Sequence, residues 1–479
     1  MDVMLTYDRE KLDGLSSAAV LQLIEKHQDE QVPDYQTNMD YYLGQHEILN
    51  NTRPEADAPN AQPVCNHAKD IADTASGYFL GNPISYKLIG DLAEDTAKQE
   101  AFDAFLEHIE EATCDDDDQE NALMLSICGK TYEYAYAAED EAMLKEKPID
   151  PQNAFIVYDQ SIEHAPLFGV YYYQKKSDLD DQEEESEDMI YFIVMTETEL
   201  RYYEAEKGSE DEVPPYDVQP HNLGRIPLIE YKNNRFAIGD FAQQIGLIDA
   251  YNTMTADRIN DKEQFIDAIL AIYGAVLGDT AEESQQAMED LHDQKLLELP
   301  LDAKAEYLVR QLDESGMETL RQALKEDIYT FSHVPNLTDE NFVGNSSGVA
   351  MEYKLLGLEM LTKIKERWYR RGLRDRIKIF CYFLSLKGFD LEPGDIEIIF
   401  SRSLPKNLLE LSQIISNLDN TVSDKTLLAL LPFVEDPDAE LEALKAQKAE
   451  NIETQQQLFG ATSEPGAENT PPEEDLTDE

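Results

Sequence analysis

"VAMEYKLLGLEMLTKIKERWYRRGLRDRIKIFCYFLSL", Val349–Leu386, decides how the chain is read. Its apolar residues Leu358, Leu361, Ile364, Trp368, Leu373, Ile377, Phe380 and Leu384 recur at helical spacing. That predicts a helix far longer than the average of about three turns. A phase slip near Gly372 suggests a bend. Just ahead lies "SHVPNLTDENFVGNSSG", Ser332–Gly348, with a proline, glycines and asparagines and no apolar period, so it reads as a loop. Ser346 or Ser347 can cap the helix that follows.

Upstream, Phe241, Ile245, Ile248, Tyr251, Ile259, Ile266, Ile269 and Tyr273 predict another long helix over Asp240–Tyr273, with Asp240 and Gln243 as its capping pair. Continuous, it would run about 50 Å at 1.5 Å per residue. Its apolar seam is thin and broken by Thr255 and Lys262, so it needs neighbours, from this chain or from other copies. A return helix opens with a capping box, Ser315 with Glu318, and carries Met317, Leu320, Leu324, Ile328 and Phe331 on one side before Pro335. Between these two helices, "GAVLG", "KLLELP" and "AEYLVRQL" read as short strands around a small acidic helix. The plan is a helix going out, a small module, and a helix coming back to the loop.

The rest of the chain is mixed. Residues 1 to about 125 read as mostly helical. From Gly129, "TYEYAYAA", "NAFIVYD", "PLFGVYYYQKK", "MIYFIVMTETELRYYE" and "IPLIEYKN" have the aromatic and β-branched content of antiparallel strands. "SDLDDQEEESED", residues 177–188, is too charged to pack and reads as a solvated hairpin loop. After the strand "DIEIIFS", a helical block holds "NLLELSQIISNL", "SDKTLLALLPF" and a helix opened by Asp436 and Pro437. The acidic, proline-bearing tail from Gly460 lacks any core pattern and reads as disordered. The fold class is α+β.

Charge narrows the function. The 479 residues include 99 acids and 39 bases, a net charge of -60. Such a surface repels nucleic acid and anionic membranes, although it suits a conduit whose wall must let phosphates slide past. Against this background, Lys363, Lys365, Arg367, Arg370, Arg371, Arg374, Arg376 and Lys378 form a dense basic run on the long helix. It is either a DNA contact or, the favoured reading, a set of cations neutralised by carboxylates of this chain or a neighbouring subunit.

Catalytic signals are missing. Cys65, Cys114, Cys128 and Cys381 show neither a CxxC pair nor a histidine at zinc-ligand spacing, which points to reduced thiols in a cytosolic setting. "GNSSGVAMEYK" lacks the lysine of a phosphate-binding loop. "DDDDQENALMLS" has Glu120 where a calcium loop turns on glycine, and Ser126 where it needs a bidentate glutamate. No HExxH or GxSxG occurs, and no 18-residue apolar run or signal peptide is present. The expectations are therefore no enzyme, no cofactor, no metal site, no membrane, and a structural or mechanical role.

Four segments in order resemble a known family. "GLIDAYNTMTADRINDKEQFIDAILAIYG" (246–274) and "GNSSGVAMEYKLLGLEMLTKIKERWYRRGLRDRIKIF" (344–380) are similar to portal proteins of tailed phages, of the type found in long-tailed phages of Gram-positive bacteria. "CNHAKDIADTASGYFLGNPISYKL" and "LPKNLLELSQIISNLDNTVSDKTLLALLPFVEDPDAELEAL" also look like that family. The resemblance implies a portal-type fold assembled as a homododecameric ring at one capsid vertex of the virion, built in the host cytoplasm. Its channel would admit DNA driven by terminase and later release it.

By position the resemblance implies a wing at 1–238 and 349–402, stem helices at 239–274 and 314–331, and a clip at 275–313. It further implies a tunnel loop at 332–348, a crown at 403–457 and an acidic tail at 458–479. Implied partners are other copies of the chain, the terminase large subunit, a head-completion adaptor, scaffolding and major capsid proteins, and double-stranded DNA held non-specifically. Within the loop, Asn336, Asp339, Glu340, Asn341, Phe342 and Asn345 are the residues the resemblance places towards DNA. The alternative is a capsid-interior or scaffolding protein that assembles and conducts nothing.

Overall fold

The computed structural model describes residues 4–52, 59–137, 143–174, 189–209, 211–264, 269–273, 280–286, 303–308, 314–337, 348–402, 408–418 and 421–428, with scattered positions to 447. The acidic loop 177–188, most of the segment 274–313, residues 338–347, Asp436 and the tail 458–479 fall outside them. The chain divides into two compact units, residues 1–344 with 353–403, and residues 345–352 with 404–479.

In the first unit, α1 (Ser17–Glu30) starts on Ser16, whose hydroxyl accepts from the Ala19 amide, and α2 (Val32–Tyr42) carries Pro33 in its first turn. Asn66 caps α3 (His67–Leu80) in the same way. Strand β1 (Ser85–Leu88) follows, then α4 (Thr96–Glu111), capped by Asp95. The acids weighed as a calcium loop stand instead in the first turn of α5 (Cys114–Cys128), where carboxylates meet the positive end of the helix. At its far end Gly129 has φ 80°, and a Cβ there would lie 2.3 Å from the Ala237 carbonyl oxygen.

The strand-rich stretch folds as two antiparallel sheets. β2 (Lys130–Ala137) is flanked by β3 (Leu144–Ile149) and β9 (Leu228–Lys232). β4 (Ala154–Tyr158), β5 (Pro166–Tyr173), β6 (Met189–Met195), β7 (Glu199–Glu206) and β8 (Asp217–Pro220) follow one another in a five-stranded meander. Phe155, Phe168, Val170, Phe192 and Val194 bury one face of it together with Val20, Leu21 and Ile24 of α1. Tyr171, Tyr173 and Tyr191 form a half-exposed ladder on the alternate positions, as the period of two requires.

The outgoing helix, α6 (Ile245–Gln264), is shorter than the apolar pattern predicts. At 1.5 Å per residue it spans about 30 Å, and Ile269–Tyr273 is a strand, β10, paired with β11 (Lys304–Leu308). The cause is local: "ILAIY" is an unbroken apolar, β-branched and aromatic run, better suited to a paired strand than to a helix. Helix α7 (Glu314–Ser332) returns as expected, and α8 (Gly348–Leu386) is a 39-residue helix. Strand β12 (Ile396–Ile399) then pairs with β1, placing Ile398 opposite Tyr86.

Two predicted caps do other work. Asp240 accepts from the Asn233 amide nitrogen at 2.9 Å, and Glu318 turns to arginines on its own and the neighbouring helix. In the second unit, backbone is described for α9 (Leu408–Leu418) and α10 (Asp424–Leu428). Among the described residues no helix is long and apolar enough to cross a membrane.

Helix α8 is the axis of the larger unit. Tyr369, Leu373, Ile377, Phe380 and Leu384 share one core with Phe79 of α3, Phe102 and Phe105 of α4 and Leu125 of α5. Gly372 has a packing reason in this core: a Cβ would stand 2.4 Å from the ring of Tyr231 on β9. Gly372→Ala should therefore lower stability by about 1–3 kcal/mol through overpacking. Gly246→Ala in α6, where the space is open, should be neutral or raise stability by up to about 1 kcal/mol. Urea denaturation of the two variants checks the contrast.

Candidate functional site

The candidate site comprises the root and clasp of the α6–α7 pair, residues 333–337 that follow α7, and the long helix behind both. At the root, Lys365 of α8 is buried, forms an ion pair with Asp240 and donates to the Ser126 hydroxyl at 2.9 Å. Asp240 leads into α6 and Ser126 closes α5, so one ammonium joins three elements. Farther along α6, Asn252 accepts from the Cys65 amide at 2.9 Å and donates to the His46 ring at 2.9 Å. Asn260 accepts from the Ala61 amide at 2.7 Å. Both asparagines are buried, so α6 is locked to the N-terminal helical layer along its length.

Across the pair, Arg258 of α6 meets Glu314 at 2.8 Å and Glu318 at 2.6 Å, and Lys262 meets Glu314 at 3.0 Å. Arg321 of α7 donates to the Tyr251 hydroxyl at 2.7 Å and also pairs with Glu318. Hydrogen bonds from Arg321 and Arg258 hold the Glu318 carboxyl down at about 2. Water screens these groups, so the clasp fixes register more than it adds stability. Below it, the Tyr329 hydroxyl donates to Asp70 at 2.6 Å and lies 3.2 Å from the His67 ring, tying α7 to α3.

The loop base follows directly. Val334 is buried, its amide donates to the Ser332 hydroxyl at 3.3 Å, and His333 adopts φ 60°. Gly357 of α8 approaches His333, where a Cβ would lie 3.4 Å from the carbonyl oxygen. Gln322, Tyr329, His333, Asn336, Lys354 and Gly357 border a cleft of about 390 Å³ between α7 and α8. Of the six expected loop residues, Asn336 stands half-buried in this cleft. Asp339, Glu340, Asn341, Phe342 and Asn345 lie outside the described residues.

The basic run resolves largely into internal pairs, as the favoured reading had it. Arg376 is fully buried; it donates to Asp118 at 2.8 Å and through Nε to Glu133 at 3.0 Å, with a further Nη2 bond to Glu133. Glu146 lies 2.9 Å from the same Nε, yet neither of its oxygens receives a hydrogen bond. Burial therefore drives the Glu146 carboxyl well above its ordinary value, against the pull of Arg376, with Glu133 beside it raising it further. Tyr369 donates to Asp118, and the guanidinium sits 5.7 Å from the Tyr231 ring. Elsewhere Lys363 pairs with Glu359, Arg370 with Glu366 and Lys378 with Asp375.

Comparison with known proteins places this arrangement. Residues 21–454 match the family model described as phage portal protein, SPP1 Gp6-like. The chain belongs to the SPP1 Gp6-like phage portal family. Membership fits the sequence resemblance and makes the chain a structural protein of the phage head-to-tail connection. It is 24% identical over 468 residues to the portal protein of Bacillus phage SPP1, covering 91% of this chain and 88% of that one. It is also 24% identical over 230 residues to the portal protein of Clostridium phage phiCD119, covering 45% of this chain and 47% of that one. A solved neck of a native GTA particle, computed with C12 symmetry, aligns with TM-score 0.44 at 10% identity, over 78% of this chain and 91% of that one.

The sequence signalled the basic run without showing its partners. Each of the two deepest pairs joins residues more than a hundred positions apart, Lys365 with Asp240 and Arg376 with Asp118 and Glu133. The Arg258–Glu318–Arg321–Tyr251 clasp was missed because Tyr251 reads as part of the apolar seam, Glu318 as a cap and the two arginines as ordinary surface residues, with nothing in the spacing to join them.

Removing one partner of a buried ion pair strands the others, so Arg376→Met should cost about 3–5 kcal/mol. Glu146→Gln should leave the fold intact. With its folded pKa above the unfolded value of 4.5, Glu146 contributes stability below that value and withdraws it as pH rises towards the folded pKa. Denaturation midpoints should thus show Glu146→Gln gaining on the wild type above pH 4.5, the gap widening with pH; a pH-independent gap would contradict the upward shift of Glu146.

Proposed function

We propose that the protein assembles as a ring of twelve copies at a capsid vertex and forms the channel for DNA entry and exit. The observation that carries this is the family match over residues 21–454, joined to a helix pair clasped along its length and rooted in α8. A ring supports such staves from both sides, and a heterologous interface that closes gives cyclic symmetry. On this reading the α6–α7 pair is the stem, and the module from 275 to 313, entered through the β10–β11 pair, is the clip that meets terminase and later a head-completion adaptor. Scaffolding and major capsid proteins would meet the ring from the shell side.

The loop from 332 to 348 is then the channel's constriction, with Asn336, Asp339, Glu340, Asn341, Phe342 and Asn345 facing duplex DNA. None of these side chains is cationic, so contact would be steric and weakly repulsive, without base readout or tight hold. The loop base supports a mechanical role, since movement of residues 332–336 would press on Gly357 of α8 and on α7 together. No chemical step is required of the chain.

Mass photometry and negative-stain imaging test this reading. Twelve chains of 54.5 kDa give 12 × 54.5 = 654 kDa, and the particles should show an axial hole. Monomers or open filaments under assembly conditions would sink it.

A further inference from the structure

The basic run on α8 is not uniform. Lys363, Lys365, Arg370, Arg376 and Lys378 each have a carboxylate partner. Arg367, Arg371 and Arg374 form no ion pair among the described residues, in a chain where acids outnumber bases by sixty. Their spacing is i, i+4, i+7, a single helical stripe, and all three are exposed. The stripe continues with exposed apolar side chains: Met360 is 62% and Ile364 47% accessible on one side, and Tyr382 is 43% accessible on the other. Inside it, Arg371 lies 4.0 Å above the ring of Trp368, the chain's one tryptophan, and both line a cavity of about 590 Å³.

We propose that this stripe of α8 is the cationic half of the contact with a second copy of the chain. The inference rests on the ring reading above and assigns one of its interfaces. A chain of net charge -60 repels its own copies, and like charges facing one another across an interface are costly. Close assembly therefore needs a cationic strip not consumed within the subunit, and this stripe supplies one. The flanking Met360, Ile364 and Tyr382 favour protein over nucleic acid as the occupant, because a phosphate backbone offers nothing to an aliphatic side chain, whereas a neighbouring subunit buries it. The acidic surface of the adjacent copy is the complementary charge.

The test uses the full-length chain and two variants, R367E/R371E/R374E and the milder R367A/R371A/R374A, with far-UV circular dichroism and thermal midpoints to establish that each folds. Mass photometry across a concentration series reads assembly, and Trp368 emission reports burial of the stripe. Wild type should assemble with a shift in Trp368 emission. The alanine variant should need at least about tenfold higher concentration for half-assembly, and the charge-reversed variant should stay at 54.5 kDa. Wild-type assembly should also weaken between 0.1 and 1 M salt, as the screening length falls from about 10 to about 3 Å.

Folded variants that assemble like the wild type would overturn this inference and leave the ring reading standing. Normal assembly with loss only of DNA retention would also overturn it, giving the stripe to nucleic acid. A wild type that stays monomeric would remove the ring reading and the inference together.

Discussion

Everything in the larger unit depends on cations of α8 buried under carboxylates from elsewhere in the chain. Arg376 is surrounded by Asp118 of α5, Glu133 of β2 and Glu146 of β3, so one side chain fixes how a helix layer and a sheet meet. Lys365, three turns earlier, does the same for Asp240 and Ser126. Buried ion pairs are weak sources of net stability, since desolvation offsets most of the attraction. Their directional demands give something else: α8 can sit in one register only, because any slip leaves a guanidinium or ammonium unpaired in the core.

That register carries outward. Asp240 stands at the start of the strut that becomes α6, so the same ammonium that holds α8 also sets where α6 begins. Asn252 and Asn260 then hold α6 to the N-terminal layer, and Arg258 and Arg321 set α7 against α6. The chain returns to α8 where Gly357 lets the His333 backbone approach closely. The loop base is thus the end of a closed circuit of contacts that starts and finishes on one helix.

Much of this was legible from the sequence where periodicity carried it. Helices α7 and α8, the sheet-rich middle and β12 follow from spacing, and the break in α6 was visible in "ILAIY" had its β-branched content been weighed above its phase. Capping was less legible. Asp240 and Glu318 stand at helix starts, but each had a stronger cationic partner in space, and a carboxylate that can reach an arginine or a lysine leaves the backbone amide to others. Gly372 likewise resembled a bend and proved to be a clearance for the Tyr231 ring, a distinction invisible without the neighbour. Long-range pairing was the part that one-dimensional spacing could not supply.

The net charge of -60 takes on a different meaning once the cations are located. The core of the larger unit consumes bases at a high rate for so acidic a chain, with Arg376 alone facing three carboxylates. For one of those, Glu146, burial outweighs the pull of Arg376 and pushes the carboxyl well above its ordinary range. A chain this short of cations that still leaves Arg367, Arg371 and Arg374 exposed on one stripe, with no ion pair among the described residues, has kept them out of its own core. Solubility does not need them, since the acids already ensure it. On the proposed ring, what would need them is contact with something as acidic as the protein itself, and the adjacent copy is such a surface.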